Sequence, residues 1–135
     1  MTALDFLIGR KITEIRYGLG LRVVFDAGER VEPALYADLG PFEFAADGEE
    51  PHLIDPARPA SVGPALSLVE KTVAQAIAQE DGTLDLQFVG GGHLSCPPQE
   101  NVEAWQVVGG SPEYLVVCVR PGHVSVFDSE PRDFG

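Results

Sequence analysis

Positive charge is scarce in this sequence. Lysine occurs only at Lys11 and Lys71, and nine lysines and arginines face 21 aspartates and glutamates, for a net charge of −12. A field of that sign repels nucleic acid and anionic membrane surfaces, so neither is an expected partner, and it draws in a basic protein. The acid is spread along the chain: residues 1 to 67 hold 11 acidic and 6 basic residues, and residues 68 to 135 hold 10 and 3. Long apolar runs are missing too. The longest are a handful of residues, against the roughly 20 that a membrane-spanning helix needs. The opening stretch MTALDFLIGRKI carries Asp5 inside its short apolar run. No basic region precedes that run and no small-residue cleavage site follows it, so it does not read as a signal peptide and the expected compartment is the cytoplasm. Cysteine is limited to Cys96 and Cys118, which a cytoplasmic setting keeps as reduced thiols.

What is present is an ordinary globular composition, 44% hydrophobic and 22% charged, over 135 residues. That length suits one domain with a single core. The most informative feature is internal similarity. Leu7-Ile8-Gly9-Arg10-Lys11-Ile12 matches Leu68-Val69-Glu70-Lys71-Thr72-Val73, Leu21-Arg22-Val23-Val24-Phe25 matches Leu84-Asp85-Leu86-Gln87-Phe88, and Val31 is set against Leu94. Leu84, Leu86 and Phe88 alternate with Asp85 and Gln87, the period-two pattern of a half-buried strand, and Gly90-Gly91-Gly92 permits a tight hairpin before Leu94. Leu21, Val23 and Phe25 repeat the pattern ahead of a turn at Asp26-Ala27-Gly28-Glu29. Strands over 11–17 and 72–79 precede the hairpins, making each unit a three-stranded meander. The alanines at 74, 76 and 78 leave a helix open for the second of these, although Thr72, Val73 and Ile77 are β-branched.

The Pro-rich stretch Asp47 to Pro64 reads as a connecting loop, and Pro64 opens a short helix to Glu70 with a counterpart in Thr2 to Ile8. Strands follow over Val102 to Val108, Tyr114 to Arg120 and His123 to Phe127, the second apolar on both faces and therefore central, before a frayed tail over 128–135. The expected fold is mainly β with α+β character: one domain with pseudo-repeats at about 7–46 and 68–108 and a C-terminal hairpin at 113–127, forming one curved sheet or a small sandwich.

Lys71-Thr72-Val73, the run Gly82 to Phe88, and Glu103-Ala104-Trp105 with the closing hairpin resemble an uncharacterised family of small tandem-hairpin proteins from GC-rich, actinobacterial-type bacteria, some of them immunity-like. The likeness spans most of the chain and brings no catalytic residues with it. The first half carries Phe42-Glu43-Phe44 where the second carries Glu103-Ala104-Trp105, keeping an aromatic in kind.

No residue set points to a reaction, and no catalytic residue, cofactor or metal is assigned. His93-x-x-Cys96 and Cys118-x4-His123 supply the four ligands a structural zinc wants. On one strand, however, residues three apart face opposite ways, and across a Pro121-Gly122 turn Cys118 falls opposite Ser125, away from His123. Cys96, followed by two prolines, has no helix N-terminus to activate it as a nucleophile beside His93. Gly90-Gly91-Gly92 leads into a strand, unlike a phosphate loop. The binding candidates are Glu103 and Trp105, which share a face if 102–108 is a strand, and the densest acidic stretch, containing Glu43, Asp47, Glu49 and Glu50. The first reading is a non-enzymatic module presenting these acids to a basic protein, immunity-like in role. The alternative is a small-molecule binding protein or minor enzyme with a pocket near Trp105 and Glu103. A homodimer through an edge strand stays open.

Overall fold

The computed structural model describes residues 4–18, 20–26, 35–100, 102–109, 114–120 and 123–128, the last two stretches as backbone. Among them are eleven strands: β1 (Ile12–Tyr17), β2 (Leu21–Phe25), β3 (Leu35–Leu39), β4 (Phe42–Ala45), β5 (His52–Ile54), β6 (Val73–Ala78), β7 (Leu84–Phe88), β8 (His93–Cys96), β9 (Trp105–Gly109), β10 (Tyr114–Arg120) and β11 (His123–Asp128). They form two antiparallel sheets, ordered β1-β2-β3-β9-β10-β11 and β5-β4-β8-β7-β6, so the fold is mainly β with two sheets and not one curved sheet. Of three short 3-10 turns, Pro59–Ser61 lies in the stretch that the sequence suggested was a loop, and Asp5–Leu7 and Gly63–Leu68 stand where it suggested helices. Gly63 and Pro64 start the last of these, and six residues are too few to propagate an α-helix without tertiary help. No helix among the described residues is long and apolar enough to cross a membrane.

Alternation drives both sheets. Leu21, Val23 and Phe25 of β2, Leu35, Ala37 and Leu39 of β3, Leu84, Leu86 and Phe88 of β7, and Phe42 and Phe44 of β4 are buried, and the residues between them are not. All belong to one core cluster with Trp105 and Val107. The stretch 72–79 is the strand β6, since Val73 and Ala76 enter the core while Gln75 and Ile77 face out.

The two meanders share their pairing in detail. Ile12 pairs with Phe25, a register irregularity follows, and Glu14 pairs with Val24. Likewise Val73 pairs with Phe88, the same irregularity follows, and Gln75 pairs with Gln87. The segments that open the meanders bond to each other reciprocally. The Ile12 amide donates to Lys71 O and the Val73 amide to Arg10 O, at 2.8 and 2.9 Å, while the Gly9 amide donates to Val73 O and the Glu70 amide to Ile12 O, at 2.8 and 2.7 Å. Each meander's next strand then crosses to the other sheet: β4 pairs with β8, and β9 with β3.

Several sequence expectations change. Val31 lies outside the described residues, and the strand returning to β2 is Leu35–Leu39. In it Ala37, opposite Val23, holds the place that Leu94 holds opposite Leu86. The Pro-rich loop contains β5, three residues placed by pairing with β4. The strand after β8 begins at Trp105, not Val102, because it runs only where β3 offers a partner. Register therefore sets Phe42 against Trp105, each on the strand that changes sheet, and not Phe44. Cys118 pairs with Val124, one residue from the expected Ser125, because a register shift follows between Cys118 and Arg120.

Where the two opening segments meet, Gly9 (φ 86°) and Glu70 (φ 81°) both take left-handed backbone angles, and nothing lies within 4 Å of a Cβ built on Gly9. Gly9→Ala is therefore expected to lower the unfolding free energy by about 1 kcal/mol from backbone strain alone. Glu70→Gly should raise it by about half that, since the freer unfolded glycine offsets part of the relief. Urea unfolding measures both, and a neutral Gly9→Ala would contradict the assignment.

Candidate functional site

The two outer faces are built on matching rows with opposite chemistry. Across the first sheet, register aligns Arg16, Arg22, Asp38 and Gln106 on β1, β2, β3 and β9. Arg22 donates Nε and Nη2 to Asp38 at 2.6 and 3.1 Å, and Gln106 Nε2 donates to the same carboxylate at 2.7 Å. The guanidinium also lies 3.8 Å over the Tyr36 ring. The hydrogen bond to Asp38 raises the Arg22 pKa against partial burial, which leaves a group that is always charged in any case. At the row's end Arg16 is held by Glu14, Nε to Oε2, at 3.0 Å.

Across the second sheet the row reads Ile77, Asp85, Ser95, Glu43 and Leu53. None of its five strands carries a lysine or arginine. Asp85 bonds His93 Nε2 from the adjacent strand. Leu53 and Ile77 remain 63% and 38% exposed at the two ends. Glu43 is exposed on this face, and Asp47, Glu49 and Glu50 are exposed on the β4–β5 turn beside it, so the structure brings these four candidates into one region.

Glu103 and Trp105 fare differently. Both border a cleft of about 930 Å³ at the end of the sandwich, walled by Arg16, Arg22 and Asp38 on one side and by Asp55 and Pro56 on another. They do not form a joint contact surface, because Glu103 is exposed ahead of β9 while Trp105 is 1% exposed. The indole Nε1 donates to Gly82 O at 2.9 Å, in the turn between β6 and β7, so the ring ties one sheet to the other. Asp81 shapes that turn by accepting the Thr83 amide at 2.9 Å, the bond that chiefly lowers the Asp81 pKa. The cleft floor is close-packed: a Cβ on Gly40 would sit 2.8 Å from Ala104 O, to which the Gly40 amide donates. Tyr17 closes one end through its hydroxyl, which donates to Pro56 O at 2.7 Å.

His93 is exposed and Cys96 buried, on opposite faces of β8 as strand alternation requires. The Cys96 thiol donates to Pro41 O at 3.5 Å, and no group of three or more metal-binding side chains occurs among the described residues. The Arg16–Arg22–Asp38–Gln106 row escaped sequence reading. Gln106 belongs to a strand from the other half of the chain, and nothing local announces that pairing.

The profile of a family of unknown function, DUF6188, matches residues 3–128. The chain belongs to that family. Searches of the curated proteins and of the solved structures each gave no match. The DUF6188 match takes in both meanders, both crossing strands and the closing hairpin.

In this DUF6188 chain Trp105 is a structural tie, and its replacement tests that. Trp105→Phe keeps a buried aromatic but leaves the Gly82 carbonyl unpaired, and should cost about 1–3 kcal/mol in urea unfolding. The wild-type fluorescence should be blue-shifted and barely quenched by iodide. Red-shifted, readily quenched emission would place the indole in solvent instead.

Proposed function

We propose that the chain is a non-enzymatic protein-binding module, immunity-like in role, whose second sheet covers a basic protein. The observation that carries this reading is the composition of that sheet's outer face. It presents Glu43, with Asp85 only 12% exposed and bonded to His93, and no lysine or arginine on any of its strands, flanked by acidic turns at Asp47, Glu49 and Glu50 and at Glu80 and Asp81. Exposed Leu53 and Ile77 supply apolar contact at its margins. Charge of one sign speeds encounter and apolar anchors slow release, the division of labour usual in complementary interfaces. The likeness between the segments 7–12 and 68–73, together with the shared registers, supports reading the halves as repeats that diverged in outer-face chemistry, one half's face becoming self-neutralised and the other's acidic.

The test starts from a partner captured out of lysate of the source organism and proceeds to association rates. The on-rate should fall steeply as salt rises and the Debye length shortens to about 8 Å. Neutralising Glu43, Glu49 and Glu50 together should slow association more than neutralising Asp128, Glu130 and Asp133, and Leu53→Ala should speed dissociation. Equal effects of the two triple variants, or a partner without basic character, would overturn the reading.

A further inference from the structure

The cleft at the other sheet carries a separate inference. Arg16 and Arg22 are direct cross-strand partners in the β1–β2 ladder, and both line the cleft. Like charges set directly opposite each other destabilise a ladder. In a chain with nine basic residues, two of them share this one position. Each is steadied by its own carboxylate in a two-pronged pair: Arg16 by Glu14 at 3.0 and 3.2 Å, Arg22 by Asp38 at 2.6 and 3.1 Å. A guanidinium has five N–H donors, so each fork leaves three for a third party. Arg16 is well exposed at 60% and Arg22 partly so at 38%.

The rest of the lining decides what that third party is. Asp55 and Glu103 also border the cleft. Asp55 takes the Ala57 amide on Oδ1 at 2.9 Å and has Arg58 Nε, on a side chain 80% exposed, 4.0 Å from Oδ2, while Glu103 is exposed. A polyanion drawn by the arginines would meet these two carboxylates, and a simple cation drawn by the carboxylates would meet the arginines. A ligand with both charges satisfies both sets. The volume of about 930 Å³ lies within the roughly 300–1,000 Å³ of small-molecule sites. We propose that the cleft binds a small zwitterion of the amino-acid or short-peptide class, its carboxylate on Arg16 and Arg22 and its ammonium group on Asp55 and Glu103. Arginine is the side chain suited to planar, two-pronged carboxylate recognition. The site's arginines lie on the first sheet and none of the acids named on the second sheet's outer face lines it, so it stands or falls independently of the protein-binding reading.

Three probes of similar chain length separate the charges: L-lysine, hexanoate with the carboxylate alone, and cadaverine with amines alone. Binding is read from amide NMR shifts of the lining glycines Gly18, Gly20 and Gly40. Lysine should bind more tightly than either of the others. Arg16→Gln should weaken lysine and hexanoate by about tenfold, the effect of losing one charge-assisted hydrogen bond, and should not weaken cadaverine, which it relieves of a like charge. Glu103→Gln should weaken lysine and cadaverine and should not weaken hexanoate, while Arg10→Gln, outside the cleft, should alter none. Absence of lysine-induced shifts at those glycines, or cadaverine binding as tightly as lysine with no effect of Arg16→Gln, would overturn the proposal.

Discussion

Four backbone amides, those of Gly9, Ile12, Glu70 and Val73, hold the two halves of this chain together by donating across to carbonyls of the opposite half. The contact is reciprocal, and Lys11 and Thr72 form an antiparallel bridge at its centre. Beyond it each strand passes through the same register irregularity and turns into its own sheet. A one-residue irregularity of this kind bends a strand and increases its twist, which lets two edge strands begin side by side and diverge. The layout of the sandwich follows from that junction.

The consequence for packing is that neither half owns its core. Phe42 and Phe44, encoded in the first half, are buried in the second sheet, while Trp105 and Val107, encoded in the second, are buried in the first. The polar row on the first sheet likewise needs Gln106 from the other half to complete the Asp38 cluster. Exchanged strands give the two sheets a common fate, and they set the crossing at Gly40 and Ala104 that floors the cleft. The same register geometry then yields two outer faces of unlike character, one with Arg16 and Arg22 engaged by carboxylates and the other with no arginine or lysine on its strands.

Much of this was legible in the sequence where the signal is local. Alternation at Leu21–Phe25 and Leu84–Phe88 gave strands with the right buried face, and the opposite orientation of His93 and Cys96 followed from period two alone. Long-range pairing was not legible. Phe42-Glu43-Phe44 reads as a strand with one buried face, but no local rule says which sheet it joins. His52–Ile54, held between Pro51 and Pro56, is too short and too proline-flanked to stand out from a loop, and is a strand only because Phe42 to Phe44 lie beside it. Glu103 and Trp105 looked like same-face neighbours on a strand that in fact begins at Trp105, and the Trp ring goes to the core because Gly82 O waits there for its N–H.

Native-state hydrogen exchange tests most directly whether the halves are one cooperative unit held at that junction. The account predicts that the amides of Gly9, Ile12, Glu70 and Val73 exchange only through global unfolding, with opening free energies equal to one another and to those of core amides on both sheets. Exchange of these four amides at a markedly lower free energy than the core, or core amides of the two sheets falling into separate classes, would contradict it.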